Sequence, residues 1–318
     1  MKIAMDSKNK KTVKFLAKLL VSLGFVAWLV FSIDWREVLF YVGKIKAWQV
    51  GLYYAVLIAG MLISSYKWKK LAAFKEIKLP FADFFKFYLA GTFVNNFMPS
   101  FIGGDTFRAY QIGKPEKKYK EAASTVIADR ITGLLGAMLL ALFFSLLNSE
   151  SIARSEILVL INFVVLGAVF CAAALLLAKK ISFWKKIPGF LPEKISEFIR
   201  ILNGYTERGM FSKAMLYSFV FGLVGLAASN YVLFFAFGAE IDILDYLSVI
   251  FLVSIVSSIP VSINNIGIKE WAYVTFFGFF GISGSLVVTI ALLSRILQMM
   301  LSFFALPLYL RSKDGESE

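Results

Sequence analysis

Seven charged residues lie within or beside long apolar stretches of this sequence, where charge is unusual. The cations are Arg108, Arg130, Lys269 and Arg295, and the carboxylates are Asp105, Asp129 and Glu270. A charge surrounded by hydrocarbon is costly, so such side chains pair with one another or face a polar cavity. If every carboxylate pairs with a cation, one cation remains for an anion, and phosphate is an anion that guanidinium and ammonium groups bind well. The alternative is that these residues only form salt bridges between helices, for example Arg295 with Glu270 or Asp105.

Two further sets of residues interrupt the same apolar stretches. The asparagines are Asn95, Asn96, Asn264 and Asn265, and the residues that break helices are Pro99, Gly103, Gly104, Pro260 and Gly267. Asparagine amides can donate hydrogen bonds to a polar headgroup, or they can cap the ends of broken helices. Both roles stay open from the sequence alone.

The two interrupted stretches resemble each other. One reads NNFMPSFIGGDTFRAY at residues 95–110, and the other reads SSIPVSINNIGIKEWAY at residues 257–273. Irregular backbone within a membrane persists only where protein or water satisfies its polar groups. We therefore predict two re-entrant helical hairpins, at residues 81–112 and 241–282. Because the loop charges predict that they enter from opposite faces, we interpret them as an inverted repeat with a substrate site near the bilayer midplane.

The elements that position these residues are apolar runs. Of the 318 residues, 59% are hydrophobic and 17% charged, against roughly 25% charged in an ordinary soluble domain. Runs of about 20 apolar residues are long enough to cross a bilayer. The sequence predicts an all-α polytopic membrane protein with about six full transmembrane helices. Their predicted ranges are 15–33, 47–66, 124–147, 157–178, 214–237 and 285–310.

The loops predict the orientation. Placing the basic leader, residues 1–14, in the cytoplasm also puts the lysine-rich segments 67–78, 114–120 and 179–213 there, as the positive-inside rule requires. The whole chain is then one integral domain of the plasma membrane, with both termini cytoplasmic and a tail at residues 311–318. Within the loop 179–213, apolar residues at helical spacing from Ile195 to Leu202 predict an interfacial helix.

The composition also excludes several function classes. The sequence has no histidine and one cysteine, so a disulfide within the chain, a Cys/His metal site and histidine general-base catalysis are excluded. We expect no metal and no cofactor. The net charge of +13 is distributed over short loops rather than in a basic aromatic-rich domain, which favours contact with anionic lipid headgroups over nucleic acid.

The interrupted motifs, together with ADRITGLLG at residues 128–136 and LLSRILQ at residues 292–298, carry a resemblance to a known family. The sequence resembles the lysylphosphatidylglycerol synthase transmembrane-region family over nearly its whole length. That resemblance implies a flippase-like domain that handles phospholipid or polyprenyl-linked lipid. Complete synthases carry a cytosolic aminoacyl-transferase domain after the membrane region. This sequence ends at Glu318, so we do not expect aminoacyl-lipid synthesis here.

Three functions remain open at this stage. The first is translocation of an anionic lipid, with Arg108, Arg130, Lys269 and Arg295 holding the phosphate while Asp105 and Glu270 orient them. The second is a non-transporting scaffold for a separate lipid synthase or glycosyltransferase. The third is a membrane enzyme that acts on a lipid phosphate, with Asp105 or Glu270 as acid or base. No nucleophile–base arrangement supports the third, so we assign no catalytic residue.

Overall fold

The computed structural model describes residues 7–97, 102–178, 204–205, 209–259, 261–307 and 309–310, and within these ranges its regular structure is helical. The first half contains α1 (Ser7–Ser32), α2 (Trp35–Lys44), α3 (Ala47–Phe74), α4 (Phe81–Phe97), α5 (Ile102–Gly113), α6 (Tyr119–Leu147), α7 (Ser149–Ala153) and α8 (Glu156–Ala178). The second half contains α9 (Met210–Phe221), a π-helical segment (Gly222–Ala228), α10 (Ser229–Ala236), α11 (Ile243–Ser258), a 3₁₀ turn (Ile263–Asn265), α12 (Ile268–Gly278) and α13 (Gly284–Phe303).

The predicted membrane spans correspond to helices of the structure. Within the described ranges, five helical stretches are long and apolar enough to cross a bilayer, and a sixth is added if the bent pair α1 and α2 counts as one span. Large apolar side chains on α8, such as Leu160 and Phe163, are more than 60% exposed. Lipid covers such surfaces in a membrane protein. The prediction of an all-α polytopic membrane protein with about six spans is confirmed.

The first span ends in a sharp turn that the sequence analysis did not predict. α1 and α2 meet at an angle of 84°. Asp34 lies between them with extended backbone, and its carboxylate accepts hydrogen bonds from the backbone N–H groups of Arg36 and Glu37. This cap starts a new helix in a new direction. The predicted span 15–33 therefore continues into a separate helix.

Two helices extend beyond the apolar runs that predicted them. α3 continues from the predicted end at residue 66 to Phe74, and α6 begins at Tyr119 rather than at residue 124. Backbone hydrogen bonding continues through a few lysines and polar residues at little cost, so hydropathy locates the membrane-buried part and not the helix end. The correction matters for Lys67, because it places that residue inside a helix and not in a loop.

The loops meet at two ends of the bundle. At one end, the Lys118 ammonium donates to the carbonyl of Glu76, and Lys75 lies over the ring of Tyr205. At the other end, Asn148 donates to the carboxylate of Asp245. Segments that the charge rule predicts to share a side of the membrane thus lie at the same end. Which end faces the cytoplasm stays a prediction.

The two interrupted stretches meet inside the bundle. The side-chain amide of Asn264, in the 3₁₀ turn, lies 3.4 Å from the carbonyl oxygen of Asn96, near the end of α4. α4 and α5 pack closely, since a Cβ built on Gly104 would contact the carbonyl of Gly91. Pro99, Pro260 and the predicted interfacial helix at 195–202 lie outside the described residues. Partial entry into the bilayer and inverted repetition stay predictions.

The first and second halves cross at a contact between two glycines. A Cβ built on Gly60 of α3 would clash with the Cα of Gly225 in the π-helical segment. Only glycine allows two backbones to approach this closely. The interval along the chain from Gly60 to Gly225 equals the interval from Asp105 to Glu270. If the two halves are related as predicted, the crossing joins corresponding positions.

Candidate functional site

A cavity of about 770 Å³, lined by charged, polar and apolar side chains, lies within the bundle. The residues around it come from both halves of the chain, and among those predicted from the sequence they include Asp105, Arg108, Arg130, Asn265 and Lys269. Arg295 and Glu270 lie next to these residues in sequence or space but do not line the cavity among the described residues. The cavity thus brings together most of the predicted cations.

The residues Lys67, Asp105, Arg108, Asp129 and Arg130 form what we call the first charge cluster. Asp129 lies at its centre, with one carboxylate oxygen 2.9 Å from the Lys67 ammonium and the other 2.9 Å from the Arg108 guanidinium. The Lys67 ammonium also donates to the Asp129 carbonyl and to the Ser218 hydroxyl. Both side chains of the Lys67–Asp129 pair are at most 5% exposed, so the cluster is a buried ionic network.

Arg108 is held on several sides. Besides Asp129, its guanidinium lies 3.6 Å from Asp105, one helical turn away in α5. The guanidinium carbon is 4.2 Å from the ring centroid of Trp68 and 4.6 Å from that of Tyr88, so Arg108 lies over two aromatic faces. Cation–π contacts in a buried site add to the ion pairs. These contacts leave Arg108 little freedom to engage a ligand.

Arg130 completes the first charge cluster in a more open position. Its Nε and Nη2 atoms donate to the two carboxylate oxygens of Asp105 at 2.8 and 3.0 Å, a bidentate arrangement. The Arg130 side chain is 51% exposed. A pair that is open on one side is easier to rearrange than the buried Asp129 network.

The residues Lys269, Glu270, Ser294 and Arg295 form the second charge cluster. The Arg295 guanidinium donates to Glu270 at 2.9 Å and to the carbonyls of Asn264 and Asn265 at 2.9 and 3.1 Å. The ion-pair alternative for Arg295, with Glu270 as the partner, is what the structure shows. Glu270 in turn accepts from the backbone N–H of Gly267, which starts α12.

Lys269 is the exception among the predicted cations. Its ammonium donates to the Ser294 hydroxyl at 2.9 Å and lies 5.8 Å from the ring centroid of Tyr273. Among the described residues, no carboxylate forms an ion pair with Lys269, although the side chain lines the cavity. Lys269 thus corresponds to the one cation expected to remain when the carboxylates are paired.

The asparagines are used mainly to hold the interrupted backbone. The Asn95 side chain accepts from the backbone N–H of Gly104, and the Asn96 side chain donates to the Ser302 hydroxyl. Asn264 and Asn265 both have left-handed backbone, with φ of 50° and 55°, which turns their carbonyls toward Arg295. Gly267 has φ of 86° and Gly103 lies in the first turn of α5. Asn265 also lines the cavity, with its side-chain oxygen lacking a partner.

Several residues around the cavity were not assigned to the site from the sequence. The sequence predicts Lys67 at the end of a span, and Lys18 lies near the basic start of the first helix. Both line the cavity, as does Asp129. The sequence predicts Asp129 as a carboxylate within the membrane but gives no sign that it is the centre of a network. A signal was present in the spacing, because Asp105 and Arg130 are 25 residues apart and Glu270 and Arg295 are also 25 residues apart. Aligning the pairs places Asp129 opposite Ser294.

Comparison with known proteins agrees with this architecture. The sequence model of the family described as "Lysylphosphatidylglycerol synthase TM region" matches residues 15–305, which include all the helices that form the cavity. The chain belongs to this family. It is also similar to a UPF0104 membrane protein of Methanothermobacter thermautotrophicus, with 24% identity over 278 residues that cover 79% of this chain and 82% of the relative. No solved structure gives a significant match.

Membership in the lysylphosphatidylglycerol synthase TM region family confirms the resemblance drawn from the motifs. Both charge clusters lie within the matched range, as do the glycine crossing and the two interrupted stretches. The chain is therefore a membrane protein built on the membrane region of that family, with a cavity between its helices that charged side chains help to line.

Proposed function

We propose that this protein translocates a phosphate-bearing lipid across the membrane, with the headgroup passing through the cavity while the acyl or prenyl tails stay in the bilayer. The observation that carries the proposal is Lys269, a cation that faces a cavity of about 770 Å³ and has no carboxylate partner among the described residues. A buried ammonium without a counter-ion is unfavourable, and an anionic headgroup in the cavity lowers that cost.

The other predicted cations take different roles in this proposal. Arg130 is half exposed and lines the cavity, so its guanidinium group can leave Asp105 and bind the phosphate during translocation. Arg108 and Arg295 are fixed by carboxylates, aromatic rings and carbonyls, and they position the surrounding helices. Asp105 and Glu270 orient the arginines, as expected from the sequence.

The proposal includes the inverted repeat and the orientation. The equal intervals of the two ion pairs and of the glycine crossing support two related halves. Joined by their interrupted stretches, such halves place a substrate site at the interface. We propose that both termini face the cytoplasm and that the protein resides in the plasma membrane. We also propose that it acts on lipid without catalysing a covalent step.

The test is transport of a fluorescent anionic phospholipid by purified protein in liposomes, read as the fraction of label that an external quencher cannot reach. We expect the wild-type protein to equilibrate the label between leaflets. Lys269→Gln should slow the transfer of label between leaflets about tenfold or more. This is the loss expected when one charge-assisted hydrogen bond to the headgroup disappears. Lys213→Gln, which removes an exposed lysine outside the cavity, is the matched control.

Two results would overturn the proposal. Unchanged transport by Lys269→Gln, with wild-type elution on size-exclusion chromatography, would remove the role of the cavity lysine. Absence of transport by the wild-type protein, combined with co-purification of a lipid synthase or glycosyltransferase, would favour the scaffold function.

A further inference from the structure

The cavity carries more positive than negative charge. Among the described residues that line it, five side chains are cationic and two are carboxylates. Asp105 is held by Arg130, and Asp129 is shared by Lys67 and Arg108. Two of the five cations have no carboxylate within ion-pair distance in the described part of the chain. These are Lys269 of α12 and Lys18 of α1.

Lys18 is brought to the cavity by the packing of α1 against the second interrupted stretch. The hydroxyl of Ser22 accepts a hydrogen bond from the backbone N–H of Ile263 at 2.7 Å. The ring of Phe25 lies against Gly267 and is 6.3 Å from the ring of Trp271. Because Lys18 is one helical turn from Ser22, it lies on the same face of α1. The same contact surface thus delivers Lys18 and Lys269 to one space.

Polar atoms without partners point to a ligand in the same region. The Ser257 hydroxyl and the side-chain oxygen of Asn265 are buried and have no hydrogen-bond partner, and both residues line the cavity. Buried polar groups are nearly always satisfied by protein, water or ligand. A phosphate oxygen can accept from Ser257, and a hydroxyl or protonated group of the ligand can donate to Asn265.

We infer that the cavity is built for a headgroup that carries two negative charges, such as the phosphomonoester or diphosphate of a lipid, with Lys18 and Lys269 each neutralising one of them. A phosphodiester lipid, which carries one phosphate charge, would leave one lysine uncompensated. This inference rests on the proposed function and specifies the class of lipid.

The experiment compares lipids that differ in headgroup charge. Purified protein in nanodiscs of neutral lipid is titrated with phosphatidic acid, with a polyprenyl diphosphate and with phosphatidylglycerol, and bound lipid is counted by native mass spectrometry. At about pH 8 a phosphomonoester is doubly charged, since its second pKa is about 6. We expect both doubly charged lipids to bind at least about tenfold tighter than phosphatidylglycerol.

Two further measurements sharpen the comparison. The preference for phosphatidic acid over phosphatidylglycerol should decline as the pH falls through about 6, because the phosphomonoester then loses its second charge. Lys18→Gln should reduce the preference toward equal affinity, whereas Lys213→Gln, an exposed lysine away from the cavity, should retain it.

The outcomes separate this inference from the proposed function. If phosphatidylglycerol is bound and transported as well as phosphatidic acid, the two-charge inference is wrong and lipid transport stands. If no anionic lipid is bound or transported, both are wrong. If inorganic phosphate at the same pH binds as tightly as phosphatidic acid, the ligand is a free phosphate and the lipid assignment is overturned.

Discussion

The two charge clusters have the same spacing and the same excess of one cation, but the carboxylates are placed differently in each. Each contains a carboxylate and an arginine 25 residues apart that form an ion pair. The residue before the arginine is Asp129 in the first charge cluster and Ser294 in the second. Asp129 forms ion pairs with two buried cations, whereas Ser294 gives Lys269 a neutral hydroxyl. This one position therefore decides whether every cation of a cluster contacts a carboxylate or one cation lacks such a contact.

The largest effect is expected when the first charge cluster loses its centre. Asp129→Asn leaves Lys67 and Arg108 buried without their shared carboxylate, which should cost about 3–5 kcal/mol of stability. Thermal unfolding in detergent, followed by fluorescence or by loss of the monodisperse elution peak, measures the change.

The matched control is Asp83→Asn, which breaks the exposed pair of Asp83 and Lys86 within one turn of α4. Exposed pairs contribute under about 1 kcal/mol, so its unfolding temperature should stay near that of the wild type. Equal stability of the two variants would show that Asp129 does not hold the first charge cluster together.

A smaller effect is expected at the crossing of the two halves. Gly60→Ala places a methyl group against the Cα of Gly225, so the helices must separate, and we expect a loss of about 1–3 kcal/mol of stability. Gly51→Ala is the control, because a Cβ there meets nothing within 4 Å and alanine favours the helix by up to about 1 kcal/mol. The unfolding temperature should therefore fall for Gly60→Ala and rise for Gly51→Ala. A stabilised Gly60→Ala would contradict the close crossing.

The smallest change in free energy is expected for a substitution that makes the second charge cluster resemble the first. Ser294→Asp supplies Lys269 with a carboxylate in place of the hydroxyl that now accepts its hydrogen bond. We expect transport of the labelled lipid to fall about tenfold, or about 1.4 kcal/mol, while the protein stays folded. Ser212→Asp, on an exposed position in the first turn of α9, adds the same charge away from the cavity. Equal transport by Ser294→Asp and the wild type would mean that a neutralised Lys269 still functions.

The apolar runs located the spans because the bilayer sets their length and composition. They did not locate the turn at Asp34, where capping and not hydropathy decides the direction of the chain. They also gave no reason to expect the π-helical segment Gly222–Ala228, whose Gly225 lies in close contact with Gly60 of α3.

Part of the site was predictable from the sequence because charge in apolar surroundings constrains its neighbours. The pairing of Arg295 with Glu270 was foreseen as one alternative, since charges in apolar surroundings must find partners. Lys67 and Lys18 were missed because each lies next to a basic segment and resembles a residue at the membrane surface. Their positions at the cavity depend on how α3 packs on α6 and how α1 packs on the second interrupted stretch. Such contacts between distant segments are not encoded in local pattern.

The contact of Gly60 with Gly225 limits how the two halves can move against each other. Two backbones that touch without intervening side chains have no layer of flexible atoms that could shear, and the ring of Phe221 lies beside Gly225 on the same surface. We therefore expect the two halves to rock about this contact rather than slide past it, so that opening the cavity at one end narrows it at the other.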